Sequence, residues 1–185
     1  MQKALSAGDG RRTVVLYGLG GIGKTQLTIA YAKRHRNEYS ASFWINIKDE
    51  DSIKQSFARA SSQILRAYPS ANRLSAVDTT GKLDDVVEGV KQWLSLPMNT
   101  RWLLVYDNYD NPKLPGQTDG AAVDIRQFLP EAYHGSIIIT TRSSQVKIGK
   151  RMRIEKMVDI RDSLEILSHT SGREGVLEGM CIVHL

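Results

Sequence analysis

The order of its segments predicts a doubly wound α/β domain. Five short β-like runs alternate with longer stretches of helical periodicity, several runs are apolar throughout, and a glycine-rich turn joins the first run to the helical stretch behind it. Continuous apolar runs suit strands covered on both faces, so the sheet they build is parallel. Strands alternating with helices then imply right-handed crossovers.

The first strand is TVVLY at 13–17, followed by a helical stretch at 25–36. The second is SFWINI at 42–47. Behind it, Asp49, Glu50 and Asp51 supply carboxylates suited to the positive end of a helix, and Ile53, Phe57, Ala60 and Ile64 then recur at helical spacing. Leu83, Val86, Val90, Trp93 and Leu94 form a second stripe, ended by Pro97. The third strand, WLLVY at 102–106, precedes a shorter helical stripe of Ala122, Ile125 and Leu129 that stops at Pro130. SIIIT at 136–140 and MRIEKM at 152–157 complete the set. Trp44, Trp93 and Trp102 fall on apolar periodicities and are expected in the core. The polar stretches 68–82 and 107–120 read as loops, and the second follows a strand directly, where α/β folds place working residues.

Composition narrows the class. The 185 residues suffice for one buried core, and 24% charged with 41% hydrophobic residues exclude a disordered or collagenous chain. A lone Cys181 cannot pair within the chain, and no apolar run approaches 18 residues, so a reducing, cytoplasmic compartment is expected with no membrane partner. A net charge of +5 suits an anionic ligand but falls short of a nucleic-acid footprint.

The glycine-rich turn carries the strongest signal. Gly18, Leu19, Gly20, Gly21, Ile22, Gly23, Lys24 and Thr25 match G-x-x-x-x-G-K-[ST], between a strand and a helix as that motif requires. Its glycines let successive backbone N–H groups approach phosphate oxygens at a helix N-terminus. Lys24 would add a cation for the β and γ phosphates, and the Thr25 hydroxyl would ligate Mg²⁺. Gln26, next along the helix, belongs to the same expected set. The plain alternative is a glycine-rich turn with a surface lysine.

Two strand ends add candidates. WLLVY runs into Asp107, placed to hold Mg²⁺ through water, against the simpler role of capping a turn. The next residue, Asn108, is a neutral amide and cannot take a proton from attacking water, so hydrolysis is expected to be slow or absent. Asp110 either substitutes as that base or helps form the turn DNYDNP. SIIIT ends in Thr140, Thr141 and Arg142; the arginine either reads a γ-phosphate with its planar fork of donors or is solvated at a strand end.

Taken in order, GLGGIGKTQLTIAYAKRH, SFWINIKDED, RWLLVYDNYDNP and GSIIITTRS resemble the NB-ARC nucleotide-binding domain of NOD-like receptors, a STAND-class P-loop NTPase, in wording nearest those of filamentous fungi. The similarity covers roughly residues 11 to 173. It implies a three-layer α/β sandwich whose five parallel strands are ordered 2-3-4-1-5. It also implies a regulatory switch, closed with ADP and open and oligomerising with ATP, in which Gly18 to Thr25 hold the phosphates, Asp107 the metal, and Arg142 the γ-phosphate. Other domains of a full-length receptor, or its oligomer, would be the partners. The implied divisions are a lead segment 1–12, the nucleotide-binding domain 13–160, and at 161–185 the start of a following helical region with an atypical tail.

The chain departs from the family's wording at three places. Asn108 stands where many members have a second Asp. Only 17 residues precede Gly18, too few for the hydrophobic-Gly-Arg segment that clamps the base. Third, the chain stops at SHTSGREGVLEGMCIVHL, before the helical and winged-helix portions that in the family close over ADP, and its last dozen residues no longer read like the family. It therefore reads as an isolated or truncated core. The competing function is a small P-loop ATPase or phosphotransferase acting on a separate substrate; a third is an interaction remnant that binds nothing. A GTPase is disfavoured, since Asn-Lys-x-Asp is missing and the Asp-x-x-Gly at 78–81 precedes the metal-site strand.

Remaining features read plainly. Lys33, Arg34, His35 and Arg36 suit a helix C-terminus. Six basic residues against one acid from Arg142 to Lys156 mark an electropositive face. His35, His134, His169 and His184 lack ligand spacing, so no zinc site is expected.

Overall fold

A computed structural model of the chain describes residues 1–5, 10–69, 83–113, 122–155 and 182–183. A short α1 (Gln2–Leu5) leads into β1 (Arg12–Tyr17), α2 (Lys24–Arg34), β2 (Ala41–Asn46), α3 (Glu50–Ala67), α4 (Leu83–Leu94), β3 (Trp102–Asp107), β4 (Ser136–Thr141), β5 (Lys150–Arg153) and β6 (Ile182–Val183). The five parallel strands lie in the order 2-3-4-1-5, as the resemblance implied. An antiparallel β6, which the sequence did not announce, pairs Ser42 with Ile182 at the outer edge of β2. Ile182 and Val183 are the described part of the stretch 161–185, and Cys181, His169, His184 and the motif at 78–81 lie outside the described residues.

Alternating residues of the same strands feed two cores, which makes the three layers. Val15, Leu104, Tyr106, Ile137 and Ile139 pack with Phe57 and Ile64 of α3 and Val90 and Trp93 of α4. Val14, Leu16, Leu103, Val105 and Ile138 pack instead with Tyr31 and Ala32 of α2 and Leu5 of α1. Both faces of β3 and β4 are thus buried along their whole length, which is why these segments carry no polar alternation. Asp49 caps α3 by accepting the Ser52 N–H at 2.8 Å. Lys54 ties α3 to α4, reaching Glu50 at 2.7 Å and Asp84 at 2.9 Å. Trp102 is fully buried and its indole donates to the Leu94 carbonyl at 2.8 Å. Trp93 is buried edge-on to Phe43, whereas Trp44 is only partly buried, flanking the second core.

Three expectations need correction. The stripe Ala122, Ile125, Leu129 makes no α-helix, only a single 3₁₀ turn, Ile125–Phe128. Its backbone is claimed by tertiary partners: the Val123 N–H donates to Asn111, the Val123 carbonyl accepts from Lys113 and Tyr109, and the Tyr106 hydroxyl donates to Phe128. The helix expected at 25–36 ends at Arg34 and gives way to a 3₁₀ turn, Arg36–Glu38, because His35 leaves helical geometry. The fifth strand begins at Lys150, two residues before its apolar pattern, since pairing with β1 rather than apolarity sets its start; positions 156 and 157 lie outside the described residues. No helix among the described residues is long and apolar enough to cross a membrane.

Candidate functional site

Parallel pairing brings the carboxyl ends of four strands together. In register, Leu16 lies beside Thr140, Tyr17 beside Thr141, and Asn46 beside Asp107. The candidate site residues sit at those pairs or just beyond them.

The turn leaving β1 is built from main chain. The Gly18 N–H donates to the Thr141 carbonyl at 3.3 Å, anchoring the turn to the tip of β4. Gly18 has φ +155°, and a Cβ there would stand 2.5 Å from the Ile154 carbonyl oxygen, so a side chain is sterically excluded. Gly23, with φ +94° and nothing within 4 Å of its missing Cβ, opens α2 without a side-chain cap bond. The helix's first amides are thus presented to the cleft without a competing side chain. Lys24, the first residue of α2, is buried, and its Nζ donates at 2.8 Å to both the Gly18 and Leu19 carbonyls. Burial holds its pKa below the usual lysine value, opposed by the nearby Asp110 carboxylate, while the Arg142 guanidinium lowers it further.

The opposite wall is built from side chains. The buried Asp107 carboxylate accepts from the Thr25 hydroxyl at 2.9 Å and, on the same oxygen, from the Thr140 hydroxyl. Thr25 and Asp107, expected to act together, therefore do meet, 82 residues apart in the chain. Thr140 also accepts the Asn108 N–H at 3.1 Å. Asn108 adopts φ +67°, a left-handed geometry that Asn tolerates better than most residues, and its amide donates to the Asn46 side chain at 3.3 Å. The roles of Thr140 as second donor to Asp107 and of Asn46 as partner to Asn108 were missed in the sequence. A polar residue closing the apolar run SFWIN was their one trace.

Asp110 is turned away from a base's task. Its carboxylate accepts the Arg142 N–H at 2.7 Å and the Arg142 Nε at 2.6 Å. Arg142 is otherwise exposed. Between the two walls lies an open cleft of about 240 Å³, bounded by Gly21, Ile22, Gly23, Lys24, Thr25 and Gln26 on one side and by Asn108, Asp110, Thr140 and Arg142 on the other. Gly20 borders it through Arg142, whose Cδ would lie 3.5 Å from a Cβ at that position. Backbone donors, two cations and a pair of hard oxygen donors around one cavity make a receptor for a polyphosphate. No cluster of three or more His, Cys, Asp or Glu able to hold a metal occurs among the described residues, so a cation here would need oxygens from its ligand and from water.

Outside the cleft, His35 is buried with its ring nitrogen 2.7 Å from Glu38, and Lys33, Arg34 and Arg36 are solvated around the helix end.

The family model described as the NB-ARC domain matches residues 1–175. The chain is also similar to a protein of Hyaloscypha variabilis described as a nucleotide-binding leucine-rich repeat (NLR)-like protein, 28% identical over 166 residues; the match covers 83% of this chain and 16% of that protein. The chain thus spans about a sixth of that relative's length. With the family model running over nearly its whole length and the five-stranded order 2-3-4-1-5 beneath it, the chain belongs to the NB-ARC family of nucleotide-binding domains.

Proposed function

We propose that this domain is an ADP/ATP switch module of an NLR-type signalling protein, working with Mg²⁺ and hydrolysing ATP slowly or not at all. The observation that carries this reading is the facing of two walls across one cleft: Lys24, Thr25 and the loop amides on one side, Thr140 and Arg142 on the other, with the Thr25 hydroxyl reaching across to Asp107. In this assignment the loop Gly18 to Thr25 and Gln26 grip the α and β phosphates, and Lys24 reaches the β and γ phosphates. Arg142 adds a cation where a third phosphate would project. Thr25 and Asp107 would hold Mg²⁺, which keeps most of its water and takes phosphate oxygens, and which would neutralise developing charge on the phosphates. Their hard oxygen donors suit that ion.

Slow turnover follows from the proton inventory. Asn108 is neutral, and Asp110, among the described residues the other carboxylate of this loop lining the cleft, is engaged by Arg142. A separate phosphotransferase substrate would need an acceptor base, and these residues supply none. Other domains of a longer receptor complete the reading, supported by the relative's far greater length, and cytoplasmic residence is proposed with them.

Calorimetric titration with ADP, ATP and GTP tests it. Saturable binding of ADP and ATP is expected, accompanied by a rise in melting temperature. No heat and no thermal shift with millimolar ADP would overturn it.

A further inference from the structure

The cation assigned to the third phosphate is not a free side chain. Asp110 clamps Arg142 at two points, backbone N–H and Nε, through one carboxylate, at 2.7 and 2.6 Å. This engages the inner nitrogen of the guanidinium and leaves the two terminal amino groups without a hydrogen bond among the described residues. The clamp also joins two strand ends: Asp110 follows β3, Arg142 follows β4, and the residues between are stitched by the Tyr109 N–H to the Thr140 carbonyl at 2.9 Å and by the Thr141 hydroxyl to the Tyr109 carbonyl. An arginine side chain otherwise carries much rotamer freedom, which binding would have to remove. Both residues line the cleft.

From this geometry we infer that Asp110 is a positioning residue for di- against triphosphate discrimination: it pre-sets Arg142 with its free amino groups toward the place a γ-phosphate would take. The inference rests on the assignment of Arg142 made above and deepens it. A turn-forming role alone would not require the carboxylate to reach across to a second strand. Nor would it require contact with both the main chain and the guanidinium of one residue. The pair is more than half solvent-exposed on the arginine side, so its effect is modest and salt-sensitive.

The test compares ADP and ATP dissociation constants, measured by calorimetry, for the wild-type chain and for Asp110→Ala, Arg142→Gln and the double variant, with circular dichroism melts confirming folding. Asp110→Ala should weaken ATP about three- to fivefold and leave ADP nearly unchanged. The loss should shrink in 0.5 M salt, and the double variant should match Arg142→Gln alone. Asp110→Asn, which keeps the volume and one acceptor, should lie between wild type and Asp110→Ala and serves if the alanine variant does not fold. An unchanged ATP-to-ADP ratio in the Asp110 variants, tighter ATP binding, or additive losses in the double variant would overturn the inference while leaving the phosphate site standing. Failure of the wild-type chain to bind either nucleotide would overturn both.

Discussion

The two walls of the cleft are specified in different currencies. The loop wall is made of main chain: its lysine is anchored on the Gly18 and Leu19 carbonyls, and its helix opens at Gly23 with no side-chain cap. The strand-tip wall is made of side chains on or just after three strands, β2, β3 and β4, with Asp107 held by Thr140 and by Thr25 of α2, Asn108 by Asn46, and Arg142 by Asp110. A wall of amides reads any polyphosphate and is intolerant of an added Cβ. A wall of side chains includes members at or near the surface, Asn108, Asp110 and Arg142, that can be changed one at a time, beside the buried Asp107 and Thr140 that cannot. On the proposed reading, the first would set whether a nucleotide is held, and the second what happens to its last phosphate.

The contrast breaks most sharply at Lys24. Lys24→Ala should abolish the ADP-dependent thermal shift, which for the wild type at 100 times Kd corresponds to about 2.7 kcal/mol. A retained shift would remove the loop from the binding site. Gly18→Ala should cost about 2 kcal/mol of folding stability, because the new methyl meets the Ile154 carbonyl in a backbone region that L-residues avoid. Denaturant melts with an unchanged midpoint would show that the turn can yield. On the other wall, Asn108→Asp should fold normally, since Asp also tolerates positive φ and Asn46 can turn its amide to donate. If a missing base limits turnover, steady-state ATP hydrolysis should rise by about tenfold or more. Equal rates would place the limit elsewhere.

The smallest effect concerns pH. Desolvation lowers the Lys24 pKa from the ordinary 10.5. The protonated ammonium is the form that grips phosphate, so ADP affinity should fall as pH rises, and begin to fall before an exposed lysine would lose its proton. Binding would restore the charge, so alkaline titrations should show proton uptake as a dependence of the measured heat on buffer ionisation enthalpy.

The same contrast explains what could be read in advance. The loop was legible because its eight residues are contiguous and three of its glycines, Gly18, Gly21 and Gly23, sit at positive φ. Asp107 and Arg142 were legible as strand ends, and the apolar runs of β3 and β4 announced burial on both faces. The link from Thr140 to Asp107 was not legible, because it depends on β4 lying beside both β1 and β3, a matter of register across more than thirty residues. Asp110 illustrates the same limit: its chemistry was plain in the sequence, but its direction was set by a strand 32 residues away. The segment around Ile125 failed for a related reason, its helical spacing being outvoted by Tyr106 and Tyr109, whose hydroxyls claim its backbone. β6 gave no usable signal, being two residues of pairing with no pattern of its own.

The flanks of the sheet are finished unequally. The margin of β2 is covered at Ala41 and Ser42 by the backbone of β6, while β5 presents Lys150, Arg151 and Arg153 to solvent in a strand otherwise open to pairing among the described residues. One flank is partly covered by pairing, and the other, among the described residues, is guarded by like-charge repulsion between copies. Colloidal behaviour should follow that asymmetry: concentrated solutions stay clear at low ionic strength, and added salt, by thinning the repulsion, makes this flank the first to stick.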